Sequence, residues 1–192
     1  KWKIFEINEI NKLGKEHGIL ILEDAAESFG SKYFNKLSGS LTDISTFSFQ
    51  ATKVLTTGEG GMVSTNCEKA YRSLRMLRSH GMEHNNNAYW MYKMHDLGFN
   101  FRLPDINCAL GISQLKRINK FILKRRKISK IYDAFFIDKK KFIIPKRIKG
   151  TSNSFHLYPL LVNFNKIKIK KNDLSVGAGV LDLNLAKFAS KN

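Results

Sequence analysis

Residues 18–30 read GILILEDAAESFG. Four apolar residues, Ile19 to Leu22, stand together without alternation and run straight into Glu23-Asp24. A strand with one wet face alternates apolar and polar residues. An unbroken apolar run is the pattern of a strand covered on both faces, as in a parallel sheet. An acidic pair directly after it sits just past the carboxyl end of the strand, where open α/β sheets bind their ligands.

The flanks extend this pattern. Upstream, Ile4, Ile7, Ile10 and Leu13 recur at helical spacing, and His17-Gly18 closes a helix predicted over 3–17. Downstream, residues 44–49 form a second apolar strand and 61–65 a third. Asn66 suits the N-cap of a helix through Leu74 and Leu77 to Ser79, stopped by His80-Gly81. Residues 82–96 are polar, contain Asn85-Asn86-Asn87 and read as an exposed loop. Pro104 and Asp105 suit the first turn of one long helix. Its apolar stripe of Leu115, Ile118, Ile122, Ile128, Ile131 and Phe135 carries it to residue 136. Short β-like pieces follow Lys141, among them 158–162, and residues 163–192 stay unassigned. Helix and strand in alternation make this an α/β layered fold.

The chain has 192 residues, 43% of them hydrophobic, enough for a real core. Residues 2–13 read as the middle of a protein, so a piece of a longer chain is expected. No leader pattern is visible, and the longest clean apolar run, Ile19 to Leu22, is too short to span a bilayer. Two cysteines, Cys67 and Cys108, without a CxxC pair argue against a disulfide scaffold or a zinc site and fit a reducing cytoplasm. No metal is expected. The formal charge is +17, and the lysines and arginines crowd into residues 115–171, where only Asp133 and Asp138 oppose them. Such a patch can bind nucleic acid or an anionic membrane. Here the charges ride on an amphipathic helix with no aromatic stacking platform between them, so a solvated face is expected, with no nucleic-acid or membrane partner.

The other informative stretch is FSFQATKVLTTGEGG, residues 47–61. It is not a phosphate loop, because Lys53 precedes the glycines instead of following them. It is not a dinucleotide fingerprint either, since Val63 stands where the third glycine would be. Two readings of Lys53 remain from spacing alone. It can snorkel at a strand end. It can also be desolvated there, with its amine pushed toward the neutral, nucleophilic form that a Schiff-base lysine needs. An aldehyde cofactor such as pyridoxal phosphate would also require a carboxylate at its ring nitrogen, for which Asp24 is placed. Ser48 and the neighbouring backbone can serve its phosphate.

Four blocks in order resemble one family: ILEDAAESFGSKY (21–33), DISTFSFQATKVLTTGEGGMVSTN (43–66), LRSHGM (77–82) and LGFNFRLPDINCALGISQLKRI (97–118). Together they are similar to the DegT/DnrJ/EryC1/StrS family of pyridoxal-phosphate-dependent nucleotide-sugar aminotransferases, over residues 4–162. The resemblance implies the type I transferase fold of aspartate aminotransferase. Residues 1–104 would be part of the large cofactor-binding domain, and 105–162 the long helix and the start of the small C-terminal domain. It implies that Lys53 carries the cofactor, that Asp24 faces the pyridine nitrogen and that Ser48 holds the phosphate. Glu27 would lie near the ring, a form associated with some 4-amino-sugar synthases. Asn100 and Arg102 would reach the phosphate side of the neighbouring subunit's site in a homodimer. The implied reaction is amino transfer from an amino acid, L-glutamate by expectation, to C4 of a nucleotide-linked keto-deoxy sugar. Related dehydratases carry His in place of the lysine, and a non-catalytic basic module decayed from the enzyme is the other alternative.

Overall fold

The computed structural model describes residues 6–85 and 88–163. In chain order the elements are α1 (Ile7–His17), β1 (Leu22–Asp24), β2 (Lys32–Tyr33), β3 (Lys36–Leu37), β4 (Ile44–Ser48) and β5 (Gly61–Thr65). They continue with α2 (Glu68–Leu77), β6 (Met82–Asn85), β7 (Ala88–Met94), α3 (Asp105–Lys116), α4 (Ile118–Phe136), β8 (Phe142–Ile143), β9 (Thr151–Ser152) and β10 (Leu161–Val162). The predicted helix start at 3–5 and the tail at 164–192 lie outside the described residues.

The sheet that positions the site has the order β1-β4-β5. β1 pairs β4 in parallel, with Asp24 opposite Thr46, and β5 pairs β4 antiparallel, with Ser48 opposite Gly61. The parallel pairing is the one expected from Ile19 to Leu22, but burial on both faces is not observed. Ile19, Leu20 and Leu22 are 60%, 74% and 62% exposed. Ile19 and Leu20 precede β1, and among the described residues no layer covers both faces of this run. α1 closes as expected: Gly18 takes the left-handed conformation, and Ile19 N–H donates to Gly14 O at 2.8 Å.

Three expectations are corrected. The helix after β5 starts at Glu68 behind Cys67, and the hydroxyl of Thr65, not Asn66, accepts the Cys67 N–H at 3.1 Å. Within 82–96, Met82–Asn85 and Ala88–Met94 pair as antiparallel strands β6 and β7 in place of a loop. Burial periodicity cannot find it, because Trp90, Tyr92 and Met94 are exposed and the backbone ladder carries it. The long helix is broken at Arg117, whose φ of −107° and ψ of 2° leave the helical range while its N–H bonds Gln114 O in a tight turn.

The core collects behind the chain that leaves β4. Phe49, Val54 and Leu55 are buried there, with Ala25 beneath the turn after β1. Phe29 meets the rings of Phe47 and Phe49 edge-on at 5.4 and 5.9 Å. Full burial of one such side chain contributes about 1.5–3 kcal/mol, so Val54 and Leu55 pin the backbone on one side of Lys53. Ile122 and Phe136 bury the inner stripe of α4. Among the described residues no helix is long and apolar enough to cross a membrane, and no cluster of His, Cys, Asp or Glu could hold a metal ion.

Candidate active site

After Ser48 the chain leaves the sheet and returns to it at Gly61, and the loop between is closed by its own hydrogen bonds. Lys53 N–H donates to Gln50 O at 3.0 Å, and the Gln50 side chain accepts from Thr52 N–H and hydroxyl at 2.9 and 2.6 Å. Phe49 O accepts Thr57 N–H at 2.9 Å and the Thr56 hydroxyl at 3.1 Å, while Phe49 N–H donates to Gly60 O at 2.8 Å. The Thr57 hydroxyl donates to Glu59 O at 2.8 Å, and Asn107 of α3 donates to Thr57 O at 2.6 Å. Both threonines and the glycines are therefore used to shape a turn, as a support for Lys53 and not as a phosphate cradle. Glu59 is exposed at its tip.

Lys53 is held at the mouth of this loop with its side chain 18% exposed, and its Nζ lies 3.7 Å from Glu27 Oε1. Glu27 comes from the turn after β1, where Ala25 N–H extends the parallel ladder to Thr46 O at 2.9 Å. The two strand ends that are adjacent in the sheet thus deliver the amine and the carboxylate. Asp24 ends β1 with an exposed carboxylate, whose Oδ1 accepts Ala26 N–H at 3.0 Å. Its neighbour Glu23 points to the other face, as strand alternation requires. There it accepts the Ser38 and Ser45 hydroxyls at 2.6 and 3.1 Å and Gly39 N–H at 3.0 Å. Glu23 is therefore committed to structure and Asp24 is not. Ser48 ends β4, half-buried, its hydroxyl accepting Gln50 N–H at 3.4 Å.

Asn100 and Arg102 precede α3. Both are exposed, and Arg102 N–H donates to the Asn100 side chain at 3.4 Å. Asn100 bridges to Ser79, and no hydrogen bond or ion pair among the described residues joins either side chain to Lys53.

Sequence reasoning missed His156. Its imidazole is 7% exposed, its Nε2 lies 4.0 Å from Glu27 Oε1, and its Nδ1 is buried without a hydrogen-bond partner. Burial holds the imidazole below the ordinary histidine range, and the charges of Lys53 and Arg125 push the same way, while Glu27 opposes them. The segment is fixed from α4: Arg125 donates to the carbonyls of Phe155 and His156 at 3.1 and 3.2 Å. The Tyr158 hydroxyl donates to Asp133 at 2.7 Å. No local pattern ties His156 to Lys53, because the two meet only through the tertiary fold.

The donor set fits pyridoxal phosphate. A half-buried amine can bond an aldehyde, an uncommitted carboxylate can face a pyridinium, a hydroxyl stands at a strand end, and a buried imidazole nitrogen still lacks a partner. A separate cavity of about 610 Å³ lies between residues 29–40, β5 and α4, lined by Phe29, Leu37, Phe47, Met62 and Ile122 among others. None of the site residues above lines it, and its lining is mostly apolar, so the chemistry is at Lys53 and not there.

The surrounding structure is shared with known proteins. The UDP-4-amino-4,6-dideoxy-N-acetyl-beta-L-altrosamine transaminase of Campylobacter jejuni is 39% identical over 170 residues, 88% of this chain and 44% of that protein. The solved structure of Helicobacter pylori PseC, an aminotransferase involved in the biosynthesis of pseudoaminic acid, superposes with a TM-score of 0.78 at 37% identity. That match covers 82% of this chain and 42% of the PseC chain. The PMP-form of a putative sugar aminotransferase from Streptococcus pneumoniae gives a TM-score of 0.76 at 25% identity, covering 83% and 46%. The chain spans about half the length of the curated relatives it matches. Its α/β architecture is part of the type I fold of the pyridoxal-phosphate-dependent transferases. The model of the DegT/DnrJ/EryC1/StrS aminotransferase family, whose members use pyridoxal phosphate, matches residues 3–176, and with the lysine loop and both strand ends inside that match the chain belongs to this family.

Proposed function

We propose that the whole protein transfers an amino group from an amino acid to a keto-deoxy sugar carried on a nucleotide, with pyridoxal phosphate as cofactor. The observation that carries this reading is the Lys53 amine, 18% exposed and 3.7 Å from the Glu27 carboxylate, in a loop built to hold it. Amination at C4 and L-glutamate as donor are the finer form of the proposal. They rest on the kind of relative matched, a 4-amino-4,6-dideoxy sugar transaminase, and on Glu27 itself. A role in making surface polysaccharide in the cytoplasm follows from the same reading.

When bound, the cofactor supplies an electron sink for the carbon that loses its proton. Lys53 Nζ would hold its aldehyde carbon and, when not so engaged, would take up and return the proton on the donor. Positioned acid–base work of this kind contributes about 10²–10⁴-fold. Asp24 would hold the ring nitrogen's proton with its carboxylate, Glu27 would face the ring, and Ser48 would orient the phosphate from the end of β4. Asn100 and Arg102, both exposed, would complete the site of the other subunit in a homodimer. Residues 1–104 would belong to the cofactor-binding domain and 105–162 would lead into the small domain. Lys53 stands where dehydratases of this family would carry histidine, which favours transamination.

The test is to load the full-length protein with pyridoxal phosphate, reduce it with borohydride and map the labelled peptide. The cofactor's mass should appear on the peptide carrying Lys53, and Lys53→Ala should lose both the label and the visible absorbance. A Lys53→Ala variant that keeps absorbance and turnover overturns the reading.

A further inference from the structure

Three groups that no short motif connects meet at one point. Glu27 Oε1 lies 3.7 Å from Lys53 Nζ and 4.0 Å from His156 Nε2. The imidazole is more than nine-tenths buried and its Nδ1 has no partner. A buried N–H without an acceptor is costlier to leave than a buried lone pair beside cations. The charged groups that face the ring are Lys53 from the loop after β4, Glu27 from the turn after β1 and Arg125 from α4. Two are cations, and Arg125 also grips the carbonyls on either side of the residue. Both points place the single proton of a neutral ring on Nε2, the nitrogen nearest Glu27.

We propose that His156 is a positioning residue for Lys53: as the neutral Nε2–H tautomer it holds the Glu27 carboxylate, and so sets the counter-charge that the Lys53 amine meets. Glu27 alone cannot be relied on for this. Its side chain is 57% exposed, and an exposed ion pair at 3.7 Å is weak. A buried, clamped ring with Nε2 at 4.0 Å, too far for a hydrogen bond but close enough for its N–H dipole to favour the anion, biases the carboxylate toward the place where it faces Lys53. His156 would thus steady the ion pair between Glu27 and Lys53. The inference rests on Lys53 being the reactive amine of the proposed function. It is tested on the cofactor-free full chain, so its failure is distinct from failure of that reading.

Two measurements decide it. Nitrogen-15 shifts of the histidine rings, with His156 assigned by comparison with His156→Gln, should show an unprotonated Nδ1 and a protonated Nε2 at neutral pH. The opposite tautomer overturns the proposal. Competitive acetylation with mass-spectrometric readout at Lys53 gives the second. At about pH 8, Glu27→Gln and His156→Phe should each raise Lys53 labelling about threefold or more relative to the other lysines, as expected for an amine released from its ion pair. His156→Gln, which keeps an N–H donor, should stay within about twofold of the parent. If Glu27→Gln speeds labelling and His156→Phe does not, His156 does not position Glu27. If neither does, the three groups do not act together.

Discussion

Gly60 shows how much of the site is set by single residues outside it. Its φ is +148°, and a Cβ there would lie 2.6 Å from the Thr57 hydroxyl and 2.9 Å from Leu103 Cδ1. No other residue takes that backbone conformation without strain. Gly60→Ala should cost about 2 kcal/mol, read from urea unfolding, and should weaken cofactor retention because Gly60 O closes the lysine loop on Phe49 N–H. Asp24 and Glu23 make the complementary point. They are adjacent in sequence and of like charge, yet one accepts three structural hydrogen bonds and the other stays available. Asp24→Asn should therefore leave stability within about 0.5 kcal/mol while abolishing turnover, which a parallel denaturation and activity assay would separate.

Between elements, the contact that matters most to the site is Asn107 of α3 on Thr57 O at 2.6 Å. It ties the helix to the loop that supports Lys53, and its loss leaves a half-buried carbonyl without a partner. Asn107→Ala should cost about 1–2 kcal/mol and speed amide exchange between Thr57 and Gly61. The segment carrying His156 has its own clamp on α4. Tyr158 donates to Asp133, which also takes the Arg147 guanidinium, and Arg147 lies over the Phe155 ring at 4.3 Å. Burial and the bond to Asp133 both push the Tyr158 hydroxyl's pKa upward, so it remains a donor across the working range. Tyr158→Phe should cost about 1–2 kcal/mol by the same unfolding assay and leave the Lys53 peptide's labelling by cofactor intact.

For the whole molecule, the burial of His156 makes stability depend on pH. Its folded-state value lies below the ordinary one, so folding favours the neutral ring. That contribution is complete above about pH 6.5, is lost as pH falls from there to the folded value, and is level below it. The urea midpoint of the parent should thus fall more steeply between neutral and mildly acid pH than that of His156→Gln. Equal slopes would show that the folded ring titrates as the unfolded one does. The chain's formal charge of +17 adds to the same trend, since every further proton increases self-repulsion.

Much of this was legible in the residues. The apolar runs before Glu23 and before Ser48 named the two strands, and their parallel pairing followed from the lack of alternation. The Thr-Thr-Gly-Glu-Gly-Gly run after Lys53 specified a tight turn, because only particular residues tolerate its backbone conformations. Local chemistry also marked Lys53 and Asp24, since Asp24 closes one apolar run and Lys53 follows the other by a few residues. Three things were decided by the tertiary structure alone. The pairing of β6 with β7 is held by cross-strand backbone bonds and leaves no burial period to read. The break at Arg117 is a single turn inside a continuous helical pattern. His156 comes to Glu27 because Arg125 of α4 grips its segment and β9 just before it pairs with β2. Sequence periodicity reports what one element buries, whereas a site joined from distant segments depends on packing that no single stretch encodes.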